Sequence, residues 1–139
     1  GLSQLKKLDY FIQNRRTIAR KYDKSLSLIE FLKIPQTNNS FAHAYHLYPL
    51  QINFDNLTIS KVELFKIMRA AGVSLQVHYM PVHLQPFYAN NNGFKTGDFP
   101  VAEKFYDHVI SIPIYPSLKD EEVEKVIQDI TNIVQPSRL

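Results

Sequence analysis

The densest group of side chains able to do chemistry lies in Val77–Tyr88, which holds two histidines and two tyrosines. His78 and Tyr79 come at the end of a predicted strand, and His83 lies in the segment that follows. Such segments often form binding sites, because the strand fixes them while their side chains stay accessible. Neighbouring strand residues point to opposite sides, so at most one of His78 and Tyr79 is expected to face any single pocket. The same residue types are also typical of partly buried groups with hydrogen-bond partners.

Metal sites and nucleophilic sites have little support in the sequence. The chain has no Cys, which excludes disulfides, zinc fingers, iron–sulfur clusters and thiol nucleophiles. His78 and His83 have no carboxylates at metal-ligand spacing, and His43 and His46, three apart in extended backbone, point to opposite faces. No Gly-x-Gly-x-x-Gly, Gly-x-x-x-x-Gly-Lys or Gly-x-Ser-x-Gly pattern occurs. We therefore predict no metal ligand, no dinucleotide-binding loop and no nucleophilic serine in this chain.

Composition and charge are those of one globular domain, with 139 residues of which 45% are hydrophobic. The formal net charge of +3 is local, since residues 1–24 hold seven Lys or Arg and two Asp. This basic segment could bind nucleic acid or an anionic membrane, but it equally fits a solvated helix face, and no nucleic-acid motif follows it. We predict no nucleic acid, no membrane and, without cysteines or a basic-then-apolar leader, a cytoplasmic location.

Apolar periodicity predicts four helices. The first covers Leu2–Leu26, and it is basic and begins abruptly, so we expect it to lead into another domain that is missing. The others are a helix from a capping box at Ser60–Glu63 to Gly72, one from Pro100 to about His108, and one from Val123 to Val134 after a capping motif at Ser117–Asp120.

Alternating residues predict strands in Tyr45–Phe54, Val73–Tyr79 and Ile110–Ile114. The turn-forming residues of 80–98 predict a long exposed loop, and a polar loop is expected after Pro35. The pattern is typical of an α/β (α+β) fold, a small two-layer sandwich with helices packed on one face of a small sheet. We divide the chain into a long interdomain helix and its end, residues 1–33, and a small C-terminal domain, residues 34–139.

Six separated motifs give the sequence a family likeness. They run in order along the chain: Gly1–Asp9, Asn14-Arg15-Arg16 with Tyr22, Tyr45–Tyr48, Ala71–His83, Phe99–Glu103 and Ser111–Pro116. Together they resemble the C-terminal segment of the DegT/DnrJ/EryC1/StrS family of pyridoxal-phosphate (PLP)-dependent aminotransferases, which act on nucleotide-linked keto sugars. The sequence of Val77–Tyr88 is most similar to that of enzymes that aminate C4 of a UDP-linked 4-keto-6-deoxy-N-acetyl sugar on the pseudaminic acid route. These enzymes are often labelled spore coat polysaccharide biosynthesis proteins.

The resemblance implies the aspartate-aminotransferase fold, in which a large PLP-binding domain is joined by a long helix to a small C-terminal domain, normally in a homodimer. The lysine that binds PLP, the acidic partner of its ring nitrogen and most phosphate ligands lie upstream in the family, and no lysine of this chain occupies that motif. The resemblance therefore implies a parent enzyme that uses PLP, glutamate and a keto sugar nucleotide. It also implies that the present chain alone binds no PLP and is inactive.

Within the family pattern, His78 is the best candidate to face the substrate, followed by Tyr79 and His83, with His46 after them. Their implied role is hydrogen bonding to sugar hydroxyls, the acetamido group or the diphosphate. For His46 and Tyr79, packing in the domain core is an equal alternative. The resemblance implies no role for Tyr115, whose position varies in polarity across the family.

A second hypothesis keeps the fold and changes the function. The chain could be a stand-alone dimerisation or binding module derived from such a domain, using an exposed sheet face and its first helix. The absence of the PLP lysine does not separate the two hypotheses, because both predict an inactive fragment. A stand-alone gene product should begin with Met and a helix cap, and this sequence has neither, so the aminotransferase domain is the preferred interpretation.

Overall fold

The structure, a computed structural model, describes residues 1–37 and 43–135; the predicted polar loop after Pro35 therefore lies partly outside the described residues. The helices are α1 (Leu2–Leu5), α2 (Leu8–Leu26), α3 (Lys61–Ala70), α4 (Pro86–Asn92), α5 (Pro100–His108) and α6 (Asp120–Val134). The strands are β1 (Leu32–Lys33), β2 (Tyr48–Ile52), β3 (Gln76–Val77) and β4 (Val109–Ile112), and single 3-10 turns lie at Phe54–Asn56 and Val82–Leu84.

The four strands form one antiparallel sheet in the order β1-β2-β4-β3. Tyr48, Leu50 and Ile52 alternate along β2 and are fully buried in the main core, as the predicted alternation requires. The small α/β arrangement confirms the predicted fold class. The sheet has one strand more than expected, because β1 lies within residues 1–33, where the sequence predicts the long helix and its end.

Helices α2, α3 and α6 pack together over the sheet, with α6 in contact with both of the others. The apolar stripe of α6 is confirmed, since Val123, Val126, Ile127, Ile130 and Val134 are all buried. Helix α5 contacts β2, and Val109 and Ser111 are buried although they alternate with the core residues of β4. The second face of the sheet is therefore partly covered.

The first predicted helix is divided at Lys6 and Lys7 into α1 and α2. Residues 1–10 are all exposed, so none of the first turns is buried against the described parts of the chain, and short helices without tertiary packing are marginal. Farther along, Tyr22 and Leu26 are fully buried, and α2 belongs to the same core as the sheet. The division of the chain at residue 33 stays a prediction. No helix in the described part of the chain is both long and apolar enough to cross a membrane.

Helix ends follow local chemistry, with one correction. The capping box at Ser60 and Glu63 is confirmed, because each residue's side chain bonds the other's backbone N–H. The motif predicted at Ser117–Asp120 is wrong in position. Helix α6 begins after Lys119, whose backbone N–H donates to Glu122 Oε2 at 2.8 Å. An acidic first turn also stabilises this helix end.

The prediction that residues 80–98 form a long loop is wrong. They contain the 3-10 turn at Val82–Leu84 and helix α4, whose first residue is Pro86. Gly93 ends α4 with φ +71°, a left-handed conformation typical of a C-terminal cap. The residues that we interpreted as loop formers thus act as the start and stop signals of a short helix. The predicted strand Val73–Tyr79, by contrast, pairs only at Gln76–Val77.

Candidate functional site

A cleft of about 750 Å³ opens at one end of the sheet, where β2 begins and β4 ends. Its wall is built from α2, the segment before β2, the β3 strand with the residues after it, the turn after β4, and the first turns of α6. The polar side chains lining it belong to Arg15, His46, Ser74, Gln76, His78, Tyr79, Ser111, Tyr115, Glu122 and Lys125. Three of the four predicted site residues, His46, His78 and Tyr79, therefore lie around one cleft.

His78 is fixed by the register of the sheet. Gln76 pairs with Ser111, which places the His78 Nε2 atom 2.7 Å from the Ser111 Oγ atom. The imidazole also lies edge-on to Phe105, with ring centroids 6.3 Å apart. Burial, and secondarily the charge of Lys61, lowers the pKa of His78, so the ring is neutral at pH 7. A neutral, oriented imidazole is suited to hydrogen bonding with a substrate.

Tyr79 is 94% exposed, and His46 is also exposed, so neither is packed in the core. Tyr79 follows His78 just after the end of β3, and both residues line this cleft and also a second, apolar one of about 780 Å³. The second cleft is lined mainly by Phe99, Val101 and Phe105 of the α5 segment. The expectation that only one of the two residues would face a single pocket is wrong, because both line the same clefts.

His83 lies outside the lining of the first cleft. It is 8% exposed, and its Nε2 atom lies 2.8 Å from Glu103 Oε1. Because a carboxylate can only accept, Nε2 carries the proton and donates it. Glu103 also accepts from the backbone N–H of Gly97, at 2.8 Å, and of Phe99, at 3.2 Å. The predicted contact between His83 and a substrate stays a prediction; in the described chain this ring holds the segment after β3 against α5.

These hydrogen bonds set the charge state of Glu103. The N–H of Gly97, followed by His83 and Phe99, lowers the pKa of the Glu103 carboxyl, so it is ionised at neutral pH. An ionised acceptor makes each of the three hydrogen bonds stronger than a bond to a neutral group. We call the set of Glu103, His83, Gly97 and Phe99 the Glu103 anchor.

Two residues of the cleft were not assigned a role from the sequence. From the sequence, Arg15 belongs only to the basic helix and to a family motif, and Tyr115 has no predicted role. Both line the cleft. Helical periodicity puts Arg15 beside the buried face of α2, but only the fold shows that α2 and the turn after β4 meet at the same end of the sheet. Among the described residues, no three His, Asp or Glu side chains lie close enough to bind a metal ion.

The profile of the DegT/DnrJ/EryC1/StrS aminotransferase family matches residues 1–131. MJ1066 of Methanocaldococcus jannaschii is 38% identical over 138 residues, 99% of this chain and 36% of that protein. The spore coat polysaccharide biosynthesis protein SpsC of Bacillus subtilis is 35% identical, over 97% of this chain and 35% of its own length. The chain spans about a third of the length of these relatives.

Solved structures give the same result. Helicobacter pylori PseC, an aminotransferase involved in the biosynthesis of pseudoaminic acid, superimposes with a TM-score of 0.85 and 28% identity, over 96% of this chain and 35% of PseC. DesV of S. venezuelae superimposes with a TM-score of 0.83 and 28% identity, over 94% of this chain and 34% of DesV. The match over nearly all of its sequence places the chain in the DegT/DnrJ/EryC1/StrS aminotransferase family.

Proposed function

We propose that this chain is the C-terminal domain of a PLP-dependent sugar-nucleotide aminotransferase, which transfers an amino group from glutamate to a UDP-linked 4-keto-6-deoxy sugar in surface polysaccharide biosynthesis. The parent enzyme is proposed to be a cytoplasmic homodimer. The observation that carries the proposal is the cleft that brings His46, His78 and Tyr79 together at one end of the sheet, in a chain of this aminotransferase family.

PLP, when bound, supplies an electron sink and carries the amino group between the two substrates. Spr1654 of Streptococcus pneumoniae, described as a sugar aminotransferase and similar in fold to this chain with a TM-score of 0.85, has been solved in a PLP form. We propose that the residues of the present chain do not hold this cofactor, and one observation supports this. Lys125, the one lysine that lines the main cleft in the described ranges, is half exposed and paired with Asp129 at 2.8 Å. We therefore propose that the cofactor lysine belongs to the rest of the parent enzyme and that this chain alone is inactive.

The proposed contribution of this domain is to bind and orient the sugar nucleotide. His78, neutral and held by Ser111, would hydrogen-bond a sugar hydroxyl or the acetamido group. Tyr79 and His46, both exposed at the cleft, would add polar and ring contacts. His83 is proposed to act through the Glu103 anchor, by holding the segment that carries Tyr79. Such positioning lowers the entropic part of a reaction barrier, and small displacements weaken it strongly.

The test begins with the protein in its source cells. An antibody against the chain should detect a species about three times its length, which binds PLP and aminates a UDP-4-keto-6-deoxy sugar with glutamate. In that protein, His78→Ala and Tyr79→Ala should lower kcat/KM for the sugar nucleotide by about 10- to 100-fold, with PLP absorbance retained. Tyr10→Ala, an equally polar exposed tyrosine on α2 outside the described clefts, is the matched control and should change kcat/KM less than twofold. A source protein that binds PLP but aminates no keto sugar nucleotide would refute the proposed function.

The stand-alone module is the second candidate, and one observation favours it. Leu2, Leu5 and Leu8 form an exposed apolar stripe at the start of the chain, and Leu2 is 80% exposed. Such a stripe suits association with another surface. A source protein of 16.2 kDa that forms dimers in sedimentation experiments would support this candidate and overturn the aminotransferase domain. Replacing Leu2 and Leu5 by Ser should then abolish the dimer.

A further inference from the structure

We propose that Arg15 forms an anion-binding subsite in the main cleft and holds a carboxylate or phosphate group of a substrate. This inference rests on the proposed function, since both substrates of that reaction are anionic. It adds a residue and a ligand chemistry to the site. The ligand group is a planar or tetrahedral oxyanion that a guanidinium can bind through two N–H groups.

The first argument is the state of the Arg15 side chain. Arg15 is half-buried and lines the cleft, and its Nε atom is screened from solvent without a hydrogen-bond acceptor in the described ranges 1–37 and 43–135. A buried N–H donor without an acceptor is unfavourable, so the hydrogen-bonding capacity of this guanidinium is not met within the described chain.

The second argument is the contrast with the two neighbours of Arg15 on α2. Asn14 Nδ2 donates to the carbonyl oxygen of Pro116 at 3.0 Å, and Arg16 Nε donates to the carbonyl oxygen of His43 at 2.9 Å. These bonds tie α2 to the turn after β4 and to the segment before β2, which are two walls of the cleft. These two bonds fix α2 on either side of Arg15, whose own Nε donor has no acceptor in the described ranges.

The third argument is the charge of the cleft. Besides Arg15, its charged side chains in the described chain are Glu122 and Lys125. Glu122 Oε2 accepts from the N–H of Lys119, and Lys125 pairs with Asp129. No carboxylate in the described ranges lies within ion-pair distance of Arg15. Glu122 keeps its negative charge in the same cleft but forms no ion pair with Arg15, so Arg15 has no direct ion-pair partner in the described ranges, and an anionic ligand would supply one.

Two sources could supply this anion: the carboxylates of the amino donor and the diphosphate of the sugar nucleotide. The test uses the full-length PLP-bound protein and two unreactive probes, glutarate for the donor and UDP-N-acetylglucosamine for the nucleotide, titrated by calorimetry. The variants are Arg15→Gln and Arg15→Lys, and the control is Arg20→Gln, which removes an exposed arginine from the same helix.

Arg15→Gln should weaken binding of one probe about 10- to 100-fold and leave the other within twofold, and the affected probe identifies the source. Arg15→Lys should recover part of the loss, because it keeps the charge without the two-pronged geometry. Arg20→Gln should change neither affinity. Unchanged affinities for both probes in Arg15→Gln, in an enzyme that still transaminates, would overturn the subsite alone. A full-length wild-type protein that binds neither probe would overturn the proposed function with it.

Discussion

The hydrogen bond between Tyr48 and Asp23 is expected to be a main contact holding α2 to the sheet. Tyr48 is fully buried at the start of β2, and its hydroxyl donates to Asp23 Oδ1 at 2.6 Å. Burial, and secondarily the bond to Asp23, raises the pKa of Tyr48 far above its ordinary value, so the hydroxyl stays protonated at every usable pH. Tyr48→Phe removes this donor and leaves the ring in place.

The loss of stability expected for Tyr48→Phe depends on the charge of the Asp23 carboxylate, which accepts the hydrogen bond. A hydrogen bond to an ionised group contributes about 1.5–3 kcal/mol, against about 0.5–1.5 kcal/mol for a neutral pair. An unfolding entropy of about 2.1 cal/mol/K per residue over this chain gives ~0.29 kcal/mol per kelvin, so a loss of ~2 kcal/mol lowers Tm by ~7 °C. The measurement is calorimetric unfolding at pH 7, checked by urea titration.

Tyr22→Phe is the matched control, because Tyr22 is equally buried and its hydroxyl donates to the neutral carbonyl of Pro113 at 2.8 Å. It should lower Tm by only ~2–5 °C. A double-mutant cycle of Tyr48→Phe with Asp23→Ala isolates the pair energy. The reasoning is refuted if Tyr48→Phe costs no more than Tyr22→Phe, or if the cycle gives no coupling.

Three further predictions concern the pH response, a backbone position and the core. Because the folded pKa of Glu103 is lowered, the stability advantage of the wild type over Glu103→Gln should be complete above the ordinary carboxyl pKa near 4.5; it should be lost as the pH falls through the folded pKa. Melting curves from pH 3 to 7 test this, and a constant gap would contradict it. Gly72 has φ +81° and nothing within 4 Å of an added Cβ, so Gly72→Ala should cost about 1–2 kcal/mol through backbone strain alone, and Gly72→Asn less, in urea titrations. Ile130→Ala should cost about 2–5 kcal/mol because Ile130 is fully buried in α6, whereas Val101→Ala, 84% exposed, should stay within about 0.5 kcal/mol; equal losses would contradict the assignment of the core.

The sequence predicted correctly those helices whose apolar stripe, capping residues or first proline lie within the helix or next to it. The stripe of α6 from Val123 to Val134, the capping box at Ser60 and the proline that opens α5 all act within a few residues, and the structure confirms each. Strand β1 has only two residues and exists because Leu32 and Lys33 pair with the end of β2. No periodicity can show so short a pairing, since its stabilising contacts come from a distant part of the chain.

The candidate site was also predictable only in part. Motif resemblance identified His46, His78 and Tyr79, and the structure brings them to one cleft. The hydrogen-bond partner of His83 was not predictable from the sequence. Glu103 is twenty residues away, and the prolines and glycines between them favour a loop. The place of Arg15 in the cleft was not predictable for a similar reason. Its environment depends on contacts with the segments around His43 and Pro116, which lie far along the sequence.

The segment from His78 to His83 shows how fold and proposed function are connected. Ser111 holds His78 at one end and Glu103 holds His83 at the other, and both partners are themselves nearly buried. Between these two fixed points the side chains of Tyr79, Met80 and Val82 are exposed. Ordering a loop on binding costs conformational entropy, and a segment fastened at both ends has already lost most of it. A surface built in this way presents exposed rings and apolar groups at fixed positions, which is what a domain must do if it positions a substrate for chemistry carried out elsewhere in the enzyme.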